Sequence, residues 1–197
     1  DRRITDLEEN KPQIQQQSRR MKIDFPVKQR SGQLVVRTEH LHKSYGSKEI
    51  FKDISFEIDR GERLVIVGLN GVGKTTLMRS LLNITPINSG KVMLGDNVQV
   101  GYYAQENEGL DYTNTVINEA NELLPTDAKR VRSVLGRFMF SGDRVFQQIG
   151  TLSGGEKTRL ALAKMVLSGP NLLMLDEPTS HLDVISKEII GEALGNY

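Results

Sequence analysis

Residues 68–76 read Gly-Leu-Asn-Gly-Val-Gly-Lys-Thr-Thr and fit the spacing G-x-x-x-x-G-K-[ST]. No other stretch of the 197 residues restricts the fold as tightly. Glycine at 68, 71 and 73 lets successive backbone N–H groups turn inward around phosphate oxygens, and a helix starting beside Lys74 adds the positive end of its dipole. Such a loop needs a strand before it and a helix after it. Residues 63–67 (Arg-Leu-Val-Ile-Val) are almost continuously apolar, which predicts a strand buried on both faces. Residues 75–82 have helix character. Lys74 is then placed to reach β- and γ-phosphates, and the Thr75 hydroxyl to ligate Mg²⁺. The plain alternative is a glycine-rich turn with a surface lysine.

The remaining pattern sets the fold class. Residues 34–36 and 54–58 read as strands, as do 91–94 and 98–103 on either side of a Gly95-Asp96-Asn97 turn. Residues 113–139 have helical periodicity broken at Pro125, where Thr126 or Asp127 is available to cap a second helix. Residues 156–167 predict a strong helix, 172–175 a buried parallel strand, and 185–194 a last helix. Buried strands alternating with helices predict an α/β fold with a mostly parallel sheet, and the early short strands an attached antiparallel piece.

Charge divides the chain. Residues 1–33 hold 8 Lys/Arg against 5 Asp/Glu, a net of +3, while residues 34–197 carry −2, giving +1 in total. Ile4, Leu7, Ile14 and Met21 make a thin helical stripe interrupted at Pro12. Residues 1–33 are therefore read as a charged linker, either a solvated spacer or a basic arm near nucleic acid, and 34–197 as the globular unit. With no cysteine, disulfide scaffolds, thiolate-held zinc, iron–sulfur clusters and thiol catalysis are excluded. No apolar run approaches the ~18 residues of a membrane span, and the Asp1-Arg2-Arg3 start has no signal-like stretch behind it. A first residue of Asp is read as a fragment of a longer chain.

Two further motifs carry chemistry. In Leu172-Leu173-Met174-Leu175-Asp176-Glu177, an apolar strand delivers two carboxylates to its C-terminal end, where parallel sheets place ligands. Asp176 is assigned to Mg²⁺, through water, and Glu177 to orienting and deprotonating an attacking water. The alternative is that the two acids cap the next turn. Leu152-Ser153-Gly154-Gly155-Glu156 contains S-x-x-E, a capping box opening the helix after it, and the same helix N-terminus offers a phosphate-binding surface. His40, His42 and His181 form no metal cluster.

With these motifs in that order, residues 34–197 resemble the ATP-binding-cassette (ABC) superfamily. The resemblance implies ATP and Mg²⁺ as cofactors and a composite site. Gly68, Asn70, Gly71, Gly73, Lys74, Thr75, Thr76, Asp176 and Glu177 would form one side, and Ser153, Gly154, Gly155 and Glu156 would face the nucleotide of a second cassette. It further implies that Gln105 lies near Mg²⁺, that Tyr45 stacks on adenine, and that Ser180-His181-Leu182-Asp183 lies at the seam between cassettes. The family's switch histidine, on a strand beyond that seam, is missing before Tyr197. Weak hydrolysis by this chain alone is the expectation.

Within the superfamily three details resemble ABC-F proteins. Glu156 stands where transporter cassettes usually have Gln. Residues 177–183 (Glu-Pro-Thr-Ser-His-Leu-Asp) differ from the ABC-F form by Ser180 for Asn, and residues 100–105 (Val-Gly-Tyr-Tyr-Ala-Gln) are similar to that subfamily. The resemblance implies a cytoplasmic ATPase with two cassettes per chain acting on the ribosome, in translation or its protection from antibiotics. Its partners would be rRNA and tRNA rather than a membrane, with residues 1–33 the tail of the inter-cassette linker. The alternative is the ATPase subunit of a membrane transporter. A non-hydrolysing regulatory cassette is disfavoured by intact Lys74, Asp176 and Glu177.

Overall fold

The computed structural model describes residues 29–103, 109–178, 184–195 and 197. Most of the proposed linker, Gln105 and the Ser180–Asp183 seam lie outside the described residues.

Strand β1 (Leu34–Tyr45) is the middle of a three-stranded antiparallel sheet, between β2 (Lys48–Asp59) and β3 (Ser89–Leu94). It runs nine residues past the predicted 34–36 strand because both of its edges are hydrogen-bonded, which compensates for the polar content of residues 37–45. Register breaks between Thr38 and Leu41 on one edge, and between Glu39 and His42 on the other, bend it. The turn into β3's far end requires Gly95. Its N–H donates to Val35 O at 2.9 Å, and a Cβ there would lie 1.8 Å from Leu34 O. Helix α1 (Lys74–Leu81) lays Met78 and Leu81 on buried Val35, Val36 and Leu41, and Met174 completes this cluster.

A second layer pairs β4 (Val100–Tyr103) with β5 (Leu172–Leu175) in parallel, from Val100↔Leu172 to Tyr103↔Leu175. Parallel neighbours need a crossover. Here it is a helical subdomain: α2 (Val116–Asn121), α3 (Ala128–Arg137), two 3₁₀ turns (Gly142–Phe146 and Ile149–Thr151) and α4 (Gly154–Ser168). Of the two caps offered by the sequence after Pro125, Asp127 serves: its carboxylate accepts from Arg130 N at 3.0 Å. Helix α4 buries Thr158, Arg159, Leu160, Leu162, Ala163, Met165, Val166 and Leu167 against Phe138, Phe140 and Ile149, so it is the central rod of this core. The carboxylate of Glu119 is buried there and is ion-paired to Lys164, whose ammonium also donates to Gly109 O at 2.8 Å. Helix α5 (Val184–Gly195) follows β5.

The two sheet strands sort their side chains by alternation. Tyr103, Leu173 and Leu175 meet the helical core, whereas Val100, Tyr102, Leu172 and Met174 meet the cluster under α1.

One expectation is overturned. Residues 63–67 do not form a strand, and Leu64, Val65 and Val67 are exposed at 54%, 78% and 88% rather than buried on both faces. Ile66 alone of the run packs, half-buried, against the α1 cluster. The physical reason is the backbone: an apolar run becomes a buried strand only when neighbours take its N–H and C=O groups. Among the described residues no strand pairs with it.

Candidate functional site

The phosphate-type loop ends at Gly73, the N-cap of α1, with φ +105. Gly71 is also left-handed, at φ +80. Glycine at 73 is demanded twice, by that φ and by contact: a Cβ would sit 2.4 Å from Ile50 Cγ2 on β2. The Lys74 ammonium folds back over the loop and donates to Gly68 O and Leu69 O, both at 2.9 Å. A lysine held this way rests where its charge is stabilised by carbonyl dipoles. It has three donors, so the side chain can exchange these carbonyls for other anionic oxygens.

The acid pair arrives from the second layer. The N–H of Asp176 donates to Tyr103 O at 2.9 Å, which carries the β4–β5 ladder one residue beyond the strands. Asp176 is buried at 3% exposure, and its Oδ2 has no hydrogen-bond partner among the described residues. Glu177 follows with φ +46, a left-handed conformation that costs a side-chain-bearing residue about 1 kcal/mol or more. With that turn Glu177 lines a cavity of about 280 Å³ together with Ile50, Asn70, Gly71, Gly73, Lys74, Thr75 and Thr76. Residues separated by a hundred positions are thus brought to one hollow: a cation and two hydroxyls at a helix start, faced by a carboxylate.

The orphaned Asp176 oxygen is the observation that bears on a metal. A buried anionic oxygen without a donor is satisfied by a cation or by a cation's water shell. Mg²⁺ usually keeps several waters and takes only one or two carboxylates plus substrate phosphates. Among the described residues no group of three His, Asp or Glu comes together.

The Ser153 turn is a capping box. Ser153 N and Oγ both donate to Glu156 Oε2 at 2.9 Å, and Ser153 Oγ accepts from Glu156 N at 3.4 Å. These bonds from Ser153, backbone first and hydroxyl second, hold the Glu156 carboxyl below the usual range, and Arg144, ion-paired to its other oxygen, adds to this. Neither this turn nor Tyr45 lines the phosphate-loop cavity. Tyr45 ends β1, half exposed, with the Lys43 ammonium 4.6 Å from its ring centroid. Gln105 lies outside the described residues. Sequence reading missed Ile50, which no local motif marks because it meets Gly73 only through packing. It also missed Arg144, twelve residues before its carboxylate partner.

A family model described as "ABC transporter" matches residues 51–180. The protein YdiF of Bacillus subtilis (strain 168) is 43% identical over 175 residues, covering 88% of this chain and 27% of its own length. "ABC transporter F family member 5" of Arabidopsis thaliana is 39% identical over 186 residues, covering 92% and 27%. "Energy-dependent translational throttle protein EttA" of Mycobacterium tuberculosis (strain ATCC 25618 / H37Rv) is 36% identical over 180 residues, covering 89% and 32%. The chain spans about a quarter to a third of the length of these relatives. Among solved structures, cbiO1 from Clostridium perfringens, part of the ABC transporter complex cbiONQ, superposes with a TM-score of 0.65 at 26% identity, over 82% of this chain and 72% of that one. Among the described residues no helix is long and apolar enough to cross a membrane.

Proposed function

We propose that this chain, which belongs to the ATP-binding-cassette family and is related to its F-type members, is the ATP-binding and ATP-hydrolysing half of a composite site in a longer protein that works on the ribosome. The observation that carries the chemistry is the shared cavity: Glu177 and the loop from Asn70 to Thr76 line one hollow of about 280 Å³.

In this reading the loop N–H groups and the α1 start hold the phosphates, and Lys74 leaves Gly68 O and Leu69 O to take phosphate oxygens. The Thr75 hydroxyl and the unpartnered Asp176 oxygen would hold Mg²⁺, which supplies charge neutralisation for phosphoryl transfer. Glu177 orients a water and accepts its proton, with its left-handed backbone keeping the carboxylate aimed into the cavity. Tyr45 takes the base. The Ser153–Glu156 turn lies outside this cavity and is assigned to the nucleotide of a second cassette, and Gln105 to the metal's neighbourhood. Residues 34–197 are the cassette, and residues 1–33 the end of a linker. Support for the ribosome as partner comes from the relative EttA, whose name describes translational throttling.

Two measurements test this. ATP should bind the chain with micromolar affinity, about −8 kcal/mol, and Lys74→Ala should weaken binding about 100-fold, as expected for lost charge-assisted hydrogen bonds. The full-length Glu177→Gln protein should sediment with ribosomes in ATP and less in ADP. Recovery only with membrane vesicles would move the assignment to a transporter ATPase, the class of the cbiO1 neighbour.

A further inference from the structure

Lys43 and Tyr45 stand two residues apart at the end of β1. The lysine is the inner of the two, 6% exposed, whereas the tyrosine is 53% exposed. The Lys43 ammonium donates to Pro86 O at 2.6 Å and lies 4.6 Å from the centroid of the Tyr45 ring, so it covers one face of that ring. Burying an ammonium is costly, and the carbonyl and the negative face of the ring offset that cost. With one face taken, the exposure of Tyr45 leaves the opposite face open to a planar ligand. The end of β1 is held from the same direction. Ser44 N donates to Asn88 Oδ1 at 2.8 Å, and Asn88 N donates to His42 O at 2.9 Å. Pro86 and Asn88 belong to the link from α1 to β3. Three bonds thus tie the Tyr45 end of β1 to the exit of the helix whose first residues are Lys74 and Thr75. On the other strand of the hairpin, Tyr45 pairs with Lys48, and Ile50 two residues on lines the phosphate-loop cavity.

We propose that Lys43 is a positioning residue for nucleotide binding: its buried ammonium backs the Tyr45 ring, so that the base of a nucleoside triphosphate stacks on the opposite face at a set distance from the phosphate loop. Two effects act together. A ring held in place before the ligand arrives loses less freedom on binding. A cation behind the ring also draws π density away from the open face, and two stacked π faces repel through that density. The inference rests on the reading of Tyr45 as the residue that takes the base, and it adds the group that makes the ring fit for that task.

The test is calorimetry of the 197-residue chain with two ligands in Mg²⁺: ATP, and inorganic tripolyphosphate, which has the phosphates and no base. Tyr45→Ala should weaken ATP about tenfold and leave tripolyphosphate unchanged, as expected for one lost base–aromatic stack. Lys43→Met keeps the length of the side chain and removes its charge. It should weaken ATP about fivefold, the usual worth of a cation–π contact, and also leave tripolyphosphate unchanged. Unchanged tripolyphosphate binding reports at the same time that each variant is folded. In the double variant, ATP should bind no more weakly than to Tyr45→Ala alone, because Lys43 acts only through the ring. With Tyr45→Ala selective for ATP, three outcomes overturn the proposal and leave the Tyr45 reading standing. They are an unchanged ATP affinity in Lys43→Met, an equal loss for both ligands, and losses that multiply in the double variant. Undiminished ATP affinity in Tyr45→Ala overturns the base reading and the proposal with it.

Discussion

The backbone N–H of Asp176 donates to the carbonyl of Tyr103 at 2.9 Å, so the first carboxylate is set by the sheet ladder and not by a loop. The next residue, Glu177, leaves the ladder in a left-handed turn and enters the cavity of the phosphate-type loop. The two acids therefore have different supports, and substitutions at them should behave differently.

Glu177→Gln keeps the size and reach of the side chain and removes its basicity. In the full-length protein it should lower steady-state ATP turnover by about 10²–10⁴-fold, the usual worth of a general base, with ATP affinity retained. Phosphate release and equilibrium binding measured on the same preparation check both halves. Unchanged turnover would place the base elsewhere.

Gly73→Ala should destabilise the chain by about 1–3 kcal/mol, because an alanine at φ +105 is strained and its Cβ would press on Ile50 Cγ2 at 2.4 Å. Adding Ile50→Ala should relieve the contact but not the backbone strain, so rescue in urea denaturation should be partial. Full rescue would mean that φ contributes nothing.

Lys164→Met should cost about 3–5 kcal/mol, since it strands the Glu119 carboxylate, 3% exposed, in the helical core. Lys164→Met combined with Glu119→Gln should recover part of that loss, because no charge is then stranded and the single amide oxygen can keep one of the two bonds that Glu119 accepts from Asp111 N–H and Asn114 Nδ2. A double-mutant cycle in urea gives the coupling, and additive losses would argue against a buried pair.

Glu156 predicts a pH dependence with a defined sign. Its folded pKa is depressed below the ordinary 4.5, chiefly by the Ser153 bonds. The folded state therefore binds this proton less readily than the unfolded one. The contribution is complete above the unfolded value and disappears as pH falls through the folded one. Glu156→Gln should flatten the stability profile below about pH 5 and leave its shape near neutrality unchanged. Urea midpoints from pH 3 to 7 for both proteins check this.

The positions of the candidate site residues were more legible than the sheet around them. Spacing alone located the loop at 68–76, the acids at 176 and 177 and the capping box, because each depends on residues adjacent in sequence. The 63–67 run misled for the opposite reason: whether such a run is buried depends on a neighbouring strand, which local apolarity does not encode. Strand β1 erred the other way, since its polar residues 37–45 are held by partners on both edges. Thr126 and Asp127 are equally good caps in a string, and the geometry selects Asp127.

The wall formed by β4 and β5 has a kinetic consequence. Its amides sit between two separate apolar clusters, one reached through Tyr103 and Leu175, the other through Tyr102 and Met174. Loosening either cluster alone leaves the ladder sheltered by the other. The amides of these two strands that bond across the ladder should then be among the last to exchange with deuterated solvent, after those of α1 on one side and α2 on the other. The strand that presents Asp176 would be a late-opening part of the molecule, keeping the carboxylate in place while either subdomain breathes.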